Sequence, residues 1–351
     1  MRFHLTDLGT FGGPWATANA INEKGQVVGT FGVGNNGSMC FLWQAGVAPV
    51  TFQGDEKPFY CDAQAIGSDG TIAGAMRTTK SNPWLDAFRR DPSGNVVMLK
   101  ALPGTGVRYG INDSWGYGVY KKTVVGMSKE QAVTWNSGGA VTAISPGMWS
   151  AAYGVNSSSQ IVGWGVTLSN NAWVQAFLWQ SGSFTYMPSP VGNWSIANAI
   201  NRDSYVAMTY LNNPGGSCVE EWFGGAVTES ACGGWTFSTA IGYAQAISID
   251  HWIVTGANVG YGGCSGNPDW GNPAWCYNAS VGAYLIVPDP SCSPTRLDSL
   301  LDTSGAGWSL RSATGINDQH QIVGYGFSPA DGLRHAILLT PINSLPLCYP
   351  T

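Results

Sequence analysis

The strongest constraint on the fold is a short motif that returns about every 45 residues along the chain. A small residue is followed by Ile or Val and often by Asn, as in Ala20-Ile21-Asn22. The Ile or Val of the motif falls at seven positions, which are Ile21, Ile66, Ile111, Val155, Ile200, Ile247 and Ile316. An insertion, residues 257–282, separates the last two. Seven copies of one unit are expected to form seven similar structural elements, each packed on its neighbours.

Each copy contains four short runs typical of β-strands. The motif is followed by an apolar run ending in Gly (Gln26-Val27-Val28-Gly29), by a third run (Phe41-Leu42-Trp43) and by a looser fourth stretch, as in Ala140-Val141-Thr142. Four strands per copy with glycine turns are typical of a propeller blade, and no segment has a helical period. We therefore predict an all-β, seven-bladed β-propeller with four-stranded blades, a single domain spanning residues 1–351. We name the strands A to D from the axis outward, and we expect the Asn of the motif to begin the A–B turn.

The two ends of the chain indicate how the ring closes. The last copy ends after its third strand, His335–Thr340, and the run His4–Leu8 precedes the first strand A. We predict that this N-terminal run is the fourth strand of the last blade, which leaves few free sheet edges.

The charge of the chain argues against nucleic-acid binding, and its hydropathy argues against a membrane span. Charged residues are 11% of the chain, the net charge is −5, and no run of Lys or Arg is present. Nucleic-acid binding requires neutralisation of phosphates, so we predict no nucleic-acid partner. No apolar run reaches the ~18 residues that a membrane-spanning helix needs, so we predict no membrane span.

The eight cysteines indicate disulfides in an oxidising compartment, because none lies in a C-x-x-C pair typical of metal or redox sites. Eight cysteines allow 105 pairings, and the expected positions of the loops favour one. The predicted pairs are Cys40–Cys61, Cys218–Cys232, Cys264–Cys276 and Cys292–Cys348. We accordingly expect a secreted protein, extracellular or periplasmic.

Several motifs resemble the bacterial extracellular HAF-repeat family, whose pattern is roughly D-L-G-T-L-G-G, then I-N, G-Q-V-V-G and H-A-F-L-W. The matching residues here are Asp7–Gly13, Ile21-Asn22, Gly25–Gly29, Gln175–Trp179 and His335–Leu338. The resemblance spans nearly the whole chain and is weakest in the fifth and sixth copies. It implies a propeller-like fold and export, and it carries no catalytic residue.

The predicted topology places the long loops at one end of the ring. The D–A and B–C connections lie at this end, which we call the X end, and the A–B and C–D turns lie at the opposite Y end. The X end carries the 257–282 insertion and three of the predicted disulfides. Because function usually lies on elaborated loops over a rigid scaffold, we place the site at the X end.

Aromatic residues recur where strand A begins. The predicted ligand-binding aromatics are Trp15, Tyr60, Trp149 and Trp194, with Trp235 and Trp308 nearby and Trp270 and Trp275 on the insertion. Their large faces suit the C–H faces of sugar rings, and their polar groups suit sugar hydroxyls. The alternative interpretation is that they only pack between blades.

Polar residues that break the repeat supply further candidates. Arg108 replaces the usual Ala three residues before Ile111, next to Tyr109, and Arg311 and Asp62 are expected nearby. These groups would grip a carboxylate or hydroxyl, or form a structural salt bridge across the mouth. Glu220 and Glu221 are adjacent in a strand and point to opposite faces, so they are not an acid/base pair by themselves.

The leading hypothesis is therefore a secreted propeller that binds carbohydrate or another ligand through aromatics at the X end. One rival is a glycan hydrolase or lyase with a single central site at the same mouth. Another is an extracellular structural protein that associates with itself. The four scattered His residues favour no metal site, and we predict no cofactor.

Overall fold

The computed structural model describes residues 1–34, 37–54, 60–78, 84–106, 112–144, 149–166, 174–187, 194–212, 216–233, 243–256, 282–288 and 292–342. Side chains are described for these residues except 211–212, 216–217 and 232–233. This part of the chain forms β-strands and two short 3-10 helices, Leu297–Leu300 and Thr303–Gly305, and contains no α-helix. None of its helices has the length and hydropathy of a membrane span.

Five four-stranded antiparallel sheets follow one another along the chain. Repeat one contains β2 (Ala16–Ile21), β3 (Val27–Val33), β4 (Gly37–Gln44) and β5 (Val47–Phe52). Repeat two contains β6 (Cys61–Ile66), β7 (Ile72–Met76), β8 (Asp86–Arg90) and β9 (Val96–Met98). Repeat three contains β10 (Ser114–Tyr120), β11 (Thr123–Ser128), β12 (Gln131–Trp135) and β13 (Val141–Ala143). Repeat four contains β14 (Ser150–Val155), β15 (Ile161–Val166), β16 (Val174–Gln180) and β17 (Ser183–Met187). Repeat five contains β18 (Trp194–Ile200), β19 (Val206–Asn212), β20 (Gly216–Phe223) and β21 (Ala226–Gly233).

Repeats six and seven share one eight-stranded sheet. Repeat six contains β22 (Tyr243–Ile247), β23 (Ile253–Gly256), β24 (Tyr284–Ile286) and β25 (Thr295–Arg296). Repeat seven contains β26 (Ser309–Ile316), β27 (Ile322–Phe327) and β28 (Arg334–Pro341), and β1 (Phe3–Gly9) completes it. A single residue pair, Gly256 with Ser312, joins the two groups of strands. The predicted insertion, residues 257–282, lies outside the described residues except for Gly282.

The predicted role of the N-terminal strand is confirmed. Strand β1 pairs antiparallel with β28, with Phe3 opposite Pro341 and Thr6 opposite Leu338. The outer side of β1 is also engaged, because the Leu5 amide donates to Ser304 Oγ at 2.7 Å and the Asp302 amide donates to the Phe3 carbonyl at 2.9 Å. The first and last parts of the sequence are thus held together by main-chain hydrogen bonds.

The innermost strands form a cycle. In chain order β2, β6, β10, β14, β18, β22 and β26 each contact the next, and β26 contacts β2. The apolar core is divided among the surfaces between neighbours; one cluster joins Ala18 and Phe41 of repeat one to Val323 and Ala336 of repeat seven. Small residues on strand A, such as Ala16 and Ala18, are fully buried there, as expected for a crowded centre.

The apolar run of strand B ends in glycine because there is no space for a Cβ at this position. A Cβ on Gly29 would lie 2.0 Å from the carbonyl oxygen of Thr17 and 2.7 Å from the ring of Phe41. Gly74, Gly126, Gly163 and Gly324 are equally close to a strand A carbonyl oxygen. In repeats one to three the glycine lets an aromatic ring of strand C pack against the backbone, and repeats five and six have Met208 and Thr255 in this register.

The Asn of the motif begins the A–B turn, as predicted. Asn22 Oδ1 accepts from the amides of Lys24 and Gln26, each at 3.0 Å. Its Nδ2 donates to the carbonyl of Gly67 in the next repeat at 3.0 Å. The same inter-repeat bond runs from Asn156 to Asn201, from Asn201 to Ser248, and from Asn317 to Asn22. The Asn therefore shapes its own turn and also binds the neighbouring repeat.

The third repeat differs from the prediction. Its innermost strand is Ser114–Tyr120, and the residue that pairs as Ile21 does in repeat one is Val119. The prediction had placed Ile111 there, and Ile111 lies outside the described residues. Strand β10 has Gly116 where the other repeats have alanine, and a two-residue turn replaces the Asn turn, so the usual motif is absent. Arg108 is consequently not the residue that replaces the alanine of strand A; that residue is Gly116.

The Cys40–Cys61 disulfide is confirmed, and it joins strand C of repeat one to strand A of repeat two. Cys218 and Cys292 are also disulfide-bonded. Cys218 lies opposite Cys232 in the β20–β21 register, which agrees with the predicted pair. The pairs Cys264–Cys276 and Cys292–Cys348 include residues outside the described part of the chain and stay predictions.

Candidate ligand-binding site

The aromatic residues predicted at the X end precede or begin strand A, but their surroundings differ. Trp15, Tyr60 and Trp194 are half-buried and keep part of their surface exposed. Trp149 is only 7% exposed and packs edge-on against Trp164, with ring centroids 4.7 Å apart. The core cluster of Trp149 and Trp164 in repeat four also contains Ile196 of repeat five, so Trp149 packs between neighbouring repeats, as the alternative interpretation expects.

Two of the half-buried aromatics contact an adjacent repeat. The ring of Tyr60 meets Trp115 edge-on at 6.4 Å. Trp194 lines a shallow apolar crevice together with Trp164, Val174 and Ile196. These side chains thus combine packing with an accessible surface at the X end.

Trp308 and Arg311 lie where the last repeat begins its strand A. Trp308 is half-buried and its ring lies 5.9 Å from that of His335. The guanidinium of Arg311 lies over the ring of Phe327 at 5.5 Å. The remaining predicted site residues, Arg108, Tyr109, Trp235, Trp270 and Trp275, lie outside the described residues.

Asp62 joins repeats one and two through neutral hydrogen-bond donors. Its Oδ1 accepts from Thr30 Oγ1 at 2.6 Å and from Asn19 Nδ2 at 2.9 Å, both in repeat one, and its Oδ2 accepts from Gln64 Nε2 at 2.7 Å. Burial raises the pKa of the Asp62 carboxyl, although the bonds from Thr30, Gln64 and Asn19 oppose that shift. The three side chains that donate to Asp62 are neutral. The predicted salt bridge across the mouth involves Arg108, which lies outside the described residues, so it stays a prediction.

A row of aromatic rings continues from Asp62 across repeats two to four. Trp115 stacks on Tyr117 at 6.0 Å, and Tyr117 meets Tyr153 edge-on at 5.1 Å. Burial raises the pKa of Tyr60, Tyr117 and Tyr153, and the negative charge of Asp62 adds to the shift of Tyr60 and Tyr117. The three phenols consequently stay neutral and can donate hydrogen bonds at physiological pH.

A further set of residues was missed from the sequence. Every innermost strand has a β-bulge at the same place, and a polar or tyrosine side chain occupies it. The bulge residues are Asn19, Gln64, Tyr117, Tyr153, Asn198, Gln245 and Thr314. Asn19 Nδ2 donates to the Ala63 carbonyl and Thr314 Oγ1 to the Ala18 carbonyl, so these side chains bond to the next innermost strand. The signal in the sequence is a single polar residue between two small ones.

The two carboxyls of repeat five point to opposite faces of the strand, and both are buried. Glu220 lies opposite Met208 in the register in which Phe41 lies opposite Gly29, so it takes the place of a core aromatic. Glu221 is 3% exposed, accepts from Thr228 Oγ1 at 2.7 Å, and lies 3.3 Å from His251 Nδ1. Burial raises the pKa of Glu221, while the bond from Thr228 and the charge of His251 oppose it. His251 belongs to an A–B turn, so this contact lies toward the Y end.

The histidines do not come together. His4 contacts Asp302 at 3.1 Å, His320 contacts Asp250 at 3.0 Å, and His335 lies between Asp7 and Asp331. Among the described residues no group of three or more His, Cys, Asp or Glu side chains is arranged to hold a metal ion.

Comparison with known proteins identifies the fold. No protein-family model matches the sequence, and no curated protein matches it either. The β-propeller domain of the trilobed protease from Pyrococcus furiosus, described as having an open velcro topology, aligns over 98% of this chain and 97% of its own, with 10% identity and a TM-score of 0.55. The fold is a β-propeller.

Two further solved structures align less closely with this propeller. TolB from Acinetobacter baumannii is 9% identical, with a TM-score of 0.46 over 96% of this chain and 65% of TolB. The gluconolactonase XC5397 from Xanthomonas campestris is also 9% identical, with a TM-score of 0.44 over 96% of this chain and 89% of its own. At these identities the likeness concerns the fold, and function must be argued from the site.

Proposed function

We propose that this chain is a secreted, seven-bladed propeller of the HAF-repeat type that binds carbohydrate at its X end. The cycle of seven innermost strands supports seven blades. The Cys40–Cys61 disulfide supports an oxidising compartment, because such bonds are rare in the cytosol. The motifs that resemble the HAF-repeat family support export.

One observation carries the choice of ligand. Trp15, Tyr60, Trp194 and Trp308 are all half-buried at the end of the ring where strand A begins, so each presents part of an aromatic surface there. Aromatic surfaces match the C–H faces of sugar rings, and tryptophan and tyrosine add polar groups that match hydroxyls. Ligand sites typically combine such apolar walls with a few fixed polar groups.

The test is a glycan-binding screen of the full chain, with turnover of every bound glycan followed by mass spectrometry. Trp194→Ala removes an aromatic wall of the X end, and Trp252→Ala removes a half-buried tryptophan from a Y-end turn. We expect binding without turnover, weakened at least 10-fold by Trp194→Ala and unchanged by Trp252→Ala. Equal loss in both variants, or no binding to any glycan, would contradict the proposal.

A second candidate, a glycan hydrolase or lyase at the same end, is favoured by Asp62. Its carboxyl has a raised pKa and lies near neutral phenols, which are features of general acids. Turnover in the same screen, abolished by Asp62→Asn, would establish this candidate in place of simple binding.

Self-association is favoured by a different surface. Val47 and Val50 on β5 and Val96 and Val97 on β9 are exposed on the outermost strands of adjacent repeats. Sedimentation of the protein at increasing concentration separates this third candidate from the other two, since only self-association shifts the distribution toward larger species.

A further inference from the structure

Asp62 breaks the pattern of the innermost strands. In repeat two it lies opposite Ala75, the residue that follows the strand B glycine Gly74. The residues in the same register of the other repeats are all uncharged, namely Thr17, Trp115, Ala151, Ile196, Tyr243 and Ser312. The other repeats thus form this part of the propeller without a carboxylate, so the fold itself does not require one.

The carboxyl lies a short way inside the X end. Asp62 is the second residue of β6, a strand that begins at the X end, and Tyr60 precedes it by two residues, about 7 Å of extended chain. Asp62 and its neighbours Asn19 and Gln64 are half-buried, so this part of the innermost strands keeps an accessible surface. The position suits a ligand whose sugar ring contacts the aromatics at the X end while a polar substituent reaches inward.

No cation compensates the charge of Asp62 in the described part of the chain. Its hydrogen-bond donors Thr30, Asn19 and Gln64 are neutral, and no Lys, Arg or His side chain there forms an ion pair with it. Burial raises the pKa of the Asp62 carboxyl, the three hydrogen bonds lower it, and no described cation contributes. Burying a carboxylate without a counter-ion is costly in free energy, and such perturbed groups cluster at functional sites.

Two arginines of the X end act on other groups. The guanidinium carbon of Arg334 lies 4.3 Å from the ring centroid of Trp15, at the interface of repeats seven and one. Burial raises the pKa of Tyr60, and the positive charge of Arg77 opposes that shift. Neither arginine forms an ion pair with Asp62, so its negative charge remains available to a cationic ligand.

The Asp62 carboxylate also has room for a further donor. Its Oδ1 accepts two hydrogen bonds and its Oδ2 accepts one, whereas a carboxylate has about four acceptor positions. A charged N–H donor at Oδ2 would form a stronger bond than the neutral donors do. The rings of Tyr60, Trp115 and Tyr117 form a row beside this carboxyl, and aromatic faces attract cations.

We propose, resting on the carbohydrate function proposed above, that the glycan contains amino sugars and that Asp62 binds a protonated amino group of this glycan. The ammonium group donates a hydrogen bond to Asp62 Oδ2, and its positive charge is attracted to the neighbouring aromatic rings. A single carboxylate suits an ammonium group better than a metal such as Ca²⁺, which takes about six to eight oxygen ligands. The ligand class is thus a polysaccharide with free amino groups.

The experiment compares three oligosaccharides that share one backbone and differ in one substituent of each sugar ring. Cellohexaose has a hydroxyl there, chitohexaose an acetamido group, and fully deacetylated chitohexaose an ammonium group. Affinities are measured by isothermal titration for the wild type, Asp62→Asn and Asp69→Asn. Asp69 is the matched control, because it is an exposed carboxylate of the same repeat that accepts from Thr71 in the Y-end A–B turn.

We expect the deacetylated oligosaccharide to bind the wild type about 10-fold or more tightly than either neutral one, because its donor is charged. Asp62→Asn should remove most of this preference and leave the binding of the neutral oligosaccharides within about 2-fold of wild type, since asparagine keeps the size of the side chain. Asp69→Asn should leave the preference intact. Added salt should reduce it in the wild type.

A pH titration of the wild type tests the same inference without a substitution. Lowering the pH neutralises Asp62 while the amino groups of the ligand stay protonated. Because burial raises the pKa of Asp62, the preference should disappear at a pH above the ordinary aspartate pKa of about 3.9. This measurement decides the inference even where circular dichroism shows that Asp62→Asn is misfolded.

Four outcomes would overturn the inference. Equal binding of the three oligosaccharides would leave carbohydrate binding in place and reject the recognition of an amino group. A preference that survives in folded Asp62→Asn, or that persists in the wild type below the ordinary aspartate pKa, would reject the role of Asp62. No binding to any of the three, or to any glycan of the screen, would reject the inference together with the proposed function.

Discussion

The interfaces between repeats one and two and between repeats five and six have the same backbone arrangement and different chemistry. The first has a disulfide, Cys40–Cys61, and the Asp62 carboxyl surrounded by neutral donors. The second has the buried Glu221 beside His251, whose ring centroid lies 3.7 Å from that of Tyr205 with the two planes tilted by 37°. Both keep the bond from the motif Asn to the next turn.

The difference shows which part of the repeat is required for the fold. The bulged innermost strand recurs in every repeat, whereas repeat three forms its sheet without the Asn turn, so the bulge is the more constant part of the propeller geometry. The residues of strand C vary, since Phe41 of repeat one is replaced by Glu220 in repeat five. Repeat five lacks the glycine–aromatic contact and buries titratable groups where repeat one has close packing.

The largest effect is expected from adding a methyl group to the close contact of repeat one. Gly29→Ala places a Cβ 2.0 Å from a backbone carbonyl oxygen, which cannot move without displacing the sheet. We expect a loss of about 3 kcal/mol or more in the free energy of unfolding, measured by denaturant titration. Gly34→Ala is the control, because nothing lies within 4 Å of its added Cβ. Equal stability of the two variants would show that the contact does not distinguish repeat one from repeat five.

Removal of the disulfide is expected to have the next largest effect. The bond closes a loop with a sequence separation of 21, and Cys40→Ala with Cys61→Ala should lower the free energy of unfolding by about 2–3 kcal/mol. The double variant is preferable to a reducing agent, because Cys218 and Cys292 are also disulfide-bonded. A change below about 1 kcal/mol would mean that the interface between repeats one and two does not depend on its covalent bond.

The two buried carboxyls should respond differently to the matched change from acid to amide. Asp62→Asn leaves one acceptor oxygen for three donors and should lower the free energy of unfolding by about 2 kcal/mol at pH 7. Glu221→Gln keeps an acceptor for Thr228 and removes a buried charge, so its effect should stay below about 1 kcal/mol. The reverse order of the two effects would contradict the contrast drawn between the interfaces.

The smallest expected effect is a change in pH dependence. Burial raises the pKa of Glu221, so the folded state binds more protons than the unfolded state between the unfolded and folded pKa values. The free energy of unfolding then falls as the pH rises through that window. Glutamine does not titrate, so the stability of Glu221→Gln relative to wild type should rise as the pH increases above the ordinary pKa of a glutamic acid side chain. Parallel pH profiles of the two proteins would show that Glu221 titrates as it does in the unfolded chain.

The fold was predictable because its signals are local and repeated. The Asn turn, the strand B glycine and the orphan N-terminal strand each have one physical reason, and each appears where expected. The third repeat was misaligned because β10 lacks the Asn turn and the alanines, so Gly110-Ile111-Asn112 matched the motif without occupying its place.

The candidate site was predictable only in part. The position of aromatics at the start of strand A follows from the repeat, but the burial of Trp149 depends on Trp164 of the neighbouring strand. The pairing of Arg334 with Trp15 joins residues from opposite ends of the sequence, so no local pattern indicates it. The bulge residues required the hydrogen-bond register, which sequence spacing alone does not provide.

The central claim is that the X end binds the ligand. Hydrogen–deuterium exchange of the full chain, with and without each glycan that the screen retains, tests this claim most directly. The account predicts slower exchange in residues 60–64, 194–198 and 334–336, with no change in the Y-end turns 22–26 and 201–205. Protection concentrated in those Y-end turns would contradict the account, because it would place the ligand at the opposite end of the propeller.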